Sequence, residues 1–254
     1  MFAAIERWRR RRILARNALP DGLWNDALSR LEFLRCYTHG DLQRLRDLVV
    51  LFLDAKFIVG AGGFEVTPLA RVVIALQACV LILNLDLDYY TGWESVVVYA
   101  GEFVTDFEWI DDAGVVHRVH EPIAGEAMPH GPVMLSWADV EASADWEQTG
   151  MNLVIHEFAH KLDMLDGDAD GTPPLHANMS RAEWHRVFDA AYADFCVRVD
   201  AGEALAIDEY AAEAPGEFFA VCSEVFFAEP ELLWAEYPAF YRQFALFYRQ
   251  DPLA

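Results

Sequence analysis

The chain has 254 residues, 54% of them hydrophobic and 13% aromatic, which is enough apolar material for a full core and too much for a disordered chain. Asp and Glu number 41 against 19 Lys and Arg, a formal charge of −22, and a field of that sign repels phosphate backbones, so nucleic-acid binding is excluded as the main activity. Four cysteines (Cys36, Cys79, Cys196 and Cys222) show no C-x-x-C spacing, which argues against a disulfide framework or a thiolate zinc site and for a reducing cytoplasm.

The first 16 residues, MFAAIERWRRRRILAR, hold six arginines against one glutamate. Arg16 cuts off the apolar stretch a signal peptide needs, so the segment reads as a solvated basic leader, the alternative being contact with a membrane surface or an acidic partner. From Pro20 to about Asp88 the pattern is helical. Leu23, Leu28, Leu31 and Leu34 recur at helical spacings, residues 41–55 begin on an Asp cap, and Thr67-Pro68 opens another helix with a cap and a first-turn proline. Its apolar run from Val72 to Leu83 contains Gln77 and falls short of the roughly 20 residues a bilayer requires, so a buried core helix is expected and no membrane span. After Gly92, residues 95–104, 115–120 and 131–140 are β-branched and aromatic between Gly, Pro and Asp turns, and read as strands. The last, GPVMLSW, is either an edge strand offering its backbone to an extended peptide or an ordinary core strand. From Thr149 a single helix is expected to run through the 150s and stop near Gly167. Further helices follow a polar loop, over Arg181 to about Val199, Pro215 to Phe227 and Glu231 towards Phe247. Helices, a small sheet, then helices indicate an α+β fold. A boundary near residue 90 would set a helical N-terminal region, 1–90, against a catalytic core, 91–254, unless the two form one continuous domain.

The chemistry centres on His156-Glu157-Phe158-Ala159-His160. Residues four apart share one helix face, so both imidazoles can reach one ion, with Glu157 beside them as general base. Two neutral imidazoles and a carboxylate with one open position suit a single zinc ion, Zn2+, which acidifies water and polarises a carbonyl. The helix is otherwise apolar (Leu153, Val154, Ile155, Phe158, Leu162), and such polar groups are costly in a core unless paired or metallated. Two residues compete for the third ligand. Asp166 lies six positions beyond His160, but Asp163 occupies the place where a glycine would let the chain turn back. Glu217 is favoured: with Glu224, seven residues on, it shares a face of an otherwise apolar helix. Glu224 and Asp163 are then candidates to accept the outer N–H of a ligand histidine. Tyr210, just ahead of that helix, is a candidate oxyanion donor.

With these residues assembled, the sequence resembles the Mlc titration factor A family over nearly its whole length. The resemblance runs through FEVT, ACVLILNLDLDYYTGW, GPVMLSWADV, NLVIHEFAHKLDMLDG, DEYAAEAPGEFFAVCSEVFF and the terminal FYRQDP. It implies a cytoplasmic zinc metallopeptidase with a gluzincin-like α+β core, a small mixed sheet and aminopeptidase character, similar to the core of anthrax lethal factor. It implies His156, His160 and Glu217 as zinc ligands, Glu157 as catalytic base and Tyr210 as a catalytic tyrosine. It also implies peptide substrates and a protein partner, the glucose-regulated repressor Mlc. The alternative is a non-catalytic regulatory protein that sequesters a transcription repressor.

Overall fold

The computed structural model describes residues 2–104, 107–110, 116–119 and 122–254. The basic leader forms helix α1 (Phe2–Arg16), held down where the Arg10 guanidinium grips the Asp86 carboxylate at 2.9 and 2.6 Å. After α2 (Asp21–Leu28), α3 (His39–Ala55) starts ahead of the expected Asp cap, because Thr38 Oγ1 accepts the Asp41 N–H at 3.2 Å and so caps the first turn. Strand β1 (Phe57–Gly60) follows, and then α4 (Pro68–Leu81), capped by Thr67 and opened by Pro68 as its sequence indicates. Every α4 residue from Val72 to Leu81 is buried, Gln77 included. No helix among the described residues is long and apolar enough to cross a membrane.

The strands are β2 (Ser95–Tyr99), β3 (Phe103–Val104), β4 (Phe107–Ile110), β5 (Val116–Val119), β6 (Pro122–Ile123), β7 (Gly125–Ala127) and β8 (Val133–Ser136). Three of them join β1 in a four-stranded mixed sheet in the order β1-β2-β8-β7, parallel except where β7 runs antiparallel to β8 with Glu126 opposite Met134. Pairs β3–β6 and β4–β5 are separate antiparallel ladders, and β5 covers the described part of the expected strand at 115–120, whose end residues lie outside the described residues. The segment GPVMLSW is therefore an interior strand, and the edge near its turn is β7. Residues 137–140 leave the sheet altogether, because Ser136 caps helix α5 (Trp137–Ala142).

The helix expected from Thr149 begins at Leu153 instead, and Thr149 ends a separate short helix. Helix α6 (Trp146–Thr149) ends on Gly150, whose φ of +64° is left-handed, and Asn152 caps the new helix α7 (Leu153–Asp163). Helix α8 (Arg181–Asp200) and α9 (Pro215–Ala228) follow, and the last expected helix splits at a proline into α10 (Pro230–Glu236) and α11 (Pro238–Tyr248). Trp184, Phe188, Phe218, Phe219, Phe240, Phe244 and Phe247 pack α8, α9 and α11 together. Each such ring contributes about 2–3 kcal/mol on burial. One continuous apolar cluster runs from Trp24 on α2 to Tyr248, and α7 lies within it, between α4, α9 and the sheet.

Candidate metal centre

Helix α7 carries its histidines on the side facing α9. Their Nε2 atoms stand 3.1 Å apart, and Glu217, in the first turn of α9, places Oε2 at 3.0 Å from His156 Nε2 and 3.3 Å from His160 Nε2. Among the described residues, this trio is the cluster whose donor atoms could hold a metal ion. Asp166, the rival third ligand, is exposed and outside it.

The donor set fits zinc. Ligand atoms about 2.0–2.1 Å from a tetrahedral zinc stand about 3.3 Å apart, close to the three edges seen. Two imidazole nitrogens and a carboxylate oxygen facing one another are a donor set that a cation would hold together. The His156 contacts are compatible with this: Nδ1 is 2.7 Å from Glu224 Oε1, and with the carboxylate accepting, a neutral His156 carries its proton on Nδ1 and leaves the Nε2 lone pair free. Glu224 thus occupies the accepting role its spacing suggested. Asp163 does not: its Oδ2 accepts the Gly171 N–H at 2.8 Å, while Asp163 Oδ1 and His160 Nδ1 are both buried without a partner among the described residues.

The electrostatics follow from burial among carboxylates. Burial disfavours the His156 imidazolium, but hydrogen bonds to Glu217 and Glu224 outweigh it and raise the His156 pKa well above the ordinary value. Burial likewise works to raise the Glu217 carboxyl, yet the two histidines pull it well below the usual carboxylate range. Glu224 moves up, because its full burial exceeds what His156 and the Asn152 N–H return.

Glu157 and Lys161 occupy the neighbouring side of α7, against the sheet. Burial pushes the Glu157 carboxyl up despite the opposing histidines. A side chain on Gly125 of β7 would bring its Cβ to 2.5 Å from Glu157 Oε1 and 2.7 Å from Leu153 Cδ1, so any other residue there would have to push the Glu157 carboxylate and the Leu153 methyl aside. Lys161 Nζ donates to the Met128 and Gly131 carbonyls and so ties the β7–β8 turn to α7. Neither Gly125 nor Lys161 stands out in the sequence, since the contact that gives each its role is long-range.

A cleft of about 240 Å³ opens beside the trio, lined by Ile123, Gly125, Met151, Leu153, His156, Glu157, Asp208, Tyr210, Val221 and Glu224. The Tyr210 ring centroid lies 6.0 Å from that of His156. Tyr210 is 45% exposed, yet partial desolvation of its ring and the nearby Glu217, Glu213 and Glu157 carboxylates raise the phenol's pKa, so it stays a hydrogen-bond donor. The structure therefore brings His156, Glu157, His160, Glu217 and Tyr210 together at the edge of the sheet.

The family described as Glucose-regulated metallo-peptidase M90 matches residues 5–249. Two proteins named Mlc titration factor A, from Escherichia coli O127:H6 (strain E2348/69) and Shigella flexneri serotype 5b (strain 8401), are each 38% identical to the chain over 248 residues, covering 97% of it and 91% of their own length.

Proposed function

The chain belongs to the glucose-regulated metallo-peptidase family M90, and from that premise we propose that it is a single-zinc peptidase with His156, His160 and Glu217 as ligands. The observation that carries this reading is the gathering of three donor atoms 3.0–3.3 Å from one another beside a cleft. Bound there, zinc supplies Lewis acidity, lowering the pKa of water to about 7 and polarising a carbonyl. Glu157 is the general base: its raised pKa suits a group that takes a proton and passes it to the leaving amine. The Tyr210 hydroxyl, held protonated, donates to the developing oxyanion. Strand β7 pairs with β8 on one side and with no described strand on the other, so an extended peptide can lie along its outer edge. A peptide running past a cleft with the acidic Asp208 in its wall is compatible with recognition of a free amino terminus, hence aminopeptidase action. Elemental analysis should find one zinc per chain. Glu157→Ala should keep that zinc and lose peptide hydrolysis by about 10²–10⁴-fold. Undiminished turnover in this variant would end the mechanism.

A second reading is compatible with the first. The relatives' name speaks of titrating Mlc, and we infer that this chain also binds a repressor of that kind. A charge of −22 supports it, since an acidic surface can compete for a repressor's basic DNA-facing side. Capture should survive Glu157→Ala, and equal loss of both activities would mean that one site serves both. Cytoplasmic location is part of this reading, supported by the four free thiols.

A further inference from the structure

Gln77 is the one amide in the buried run of α4, and the run of core residues around it gives no local reason for its presence. A buried amide is costly unless its donors and acceptor are used. Gln77 Nε2 donates to the Val73 carbonyl at 3.3 Å, and Gln77 Oε1 accepts from Asn152 Nδ2 at 2.7 Å. Asn152 is also the cap of α7, with Oδ1 accepting the Ile155 N–H at 3.0 Å. Serine or aspartate would cap as well without bringing an N–H2 group into the core. What asparagine adds is the bond to α4.

That bond has a consequence two residues further along the chain of contacts. The Asn152 backbone N–H donates to Glu224 Oε2, and Glu224 Oε1 accepts from His156 Nδ1 at 2.7 Å. A carboxylate held by one oxygen at Asn152 cannot rotate freely, so its other oxygen is aimed at the imidazole. Gln77, Asn152 and Glu224 are 0%, 1% and 3% exposed, so water has no access to replace any link.

We propose that Gln77 and Asn152 are positioning residues of the metal centre: their side-chain hydrogen bond fixes the Asn152 N–H on Glu224 and, through Glu224, the His156 ring with Nε2 turned to the metal. The inference rests on the reading of His156 as a metal ligand. It gives the helical N-terminal part of the chain an indirect share in the site, through a single residue of α4.

Two variants break the Gln77–Asn152 bond from opposite ends. Gln77→Met keeps length and helix propensity, and Asn152→Ser keeps the helix cap. Zinc affinity, read by competition with a chelator, should fall about 3–10-fold in each, less than the 10–100-fold typical of a residue bonded directly to a ligand. In a Glu224→Gln background both changes should have no further effect on affinity, because the path to His156 is already broken. The cobalt-substituted protein should show the same shift of its visible absorption bands in both variants. Unchanged zinc affinity with only a lower melting temperature of the metal-free protein would overturn the proposal, as would losses that add to that of Glu224→Gln. If Gln77→Met does not fold, Asn152→Ser decides by the same readings. A wild type that takes up no zinc would instead remove the ligand reading itself.

Discussion

Helix α7 has two working sides, and they answer to different neighbours. His156 and His160 look to α9, where Glu217 joins them and Glu224 holds the first ring. Glu157 and Lys161, likewise four apart, look to the sheet, where Gly125 leaves room for one and the β7–β8 turn receives the other. On the proposed reading, the first side would hold the cation and the second would set a base and a substrate edge beside it. Metal retention and turnover should therefore be separable by mutation, although the residues are adjacent in sequence.

The sharpest separation should come from the α9 side. Glu217→Ala removes one of three donors, and its zinc affinity should drop by at least about 10³-fold, taking hydrolysis with it; chelator competition measures this. On the sheet side, Gly125→Val should keep a full zinc complement while kcat falls about 100-fold, since the added carbons displace the Glu157 carboxylate by an ångström or more. Zinc loss in that variant would break the comparison. Glu224→Gln puts an amide where two N–H donors need acceptors, and zinc affinity should fall about 10–100-fold.

The smallest effect concerns pH. Burial lowers the Lys161 pKa from 10.5 to about 8, so between those values the unfolded chain binds the extra proton. The contribution of Lys161 to stability therefore rises as pH increases from 8 to 10.5, and Lys161→Met should flatten that rise in a melting-temperature series without changing zinc content. Lys56, on the same Trp93 ring and also lowered to about 8, should preserve part of the rise in that variant.

Much of the site was legible because helix periodicity is local. The four-residue step between His156 and His160 and the seven-residue step between Glu217 and Glu224 each say that two side chains share a face, whatever the surroundings. The Thr67-Pro68 cap was readable for the same reason. Asp163 misled because sharing a helix face with His160 is necessary for contact but not sufficient, and the returning loop offered its carboxylate the Gly171 N–H. Gln77 passed as an interruption in an apolar run, since its partner lies 75 residues away. The strand at 133–136 could have been edge or interior: that depends on which segments pair on either side, and β1, from the helical half of the chain, extends the sheet beyond β2.

The sequence by itself determined the helical spacing of His156 and His160 and the caps that start several helices, because these follow from one segment's own backbone geometry. Only the tertiary structure decided that α9 would deliver Glu217 across 61 residues to His156, that β7 would be the free edge, and that Gly125 would lie against Glu157. Those outcomes depend on how whole helices and strands share one close-packed core, where a carboxylate or a glycine finds its role from neighbours distant in the chain.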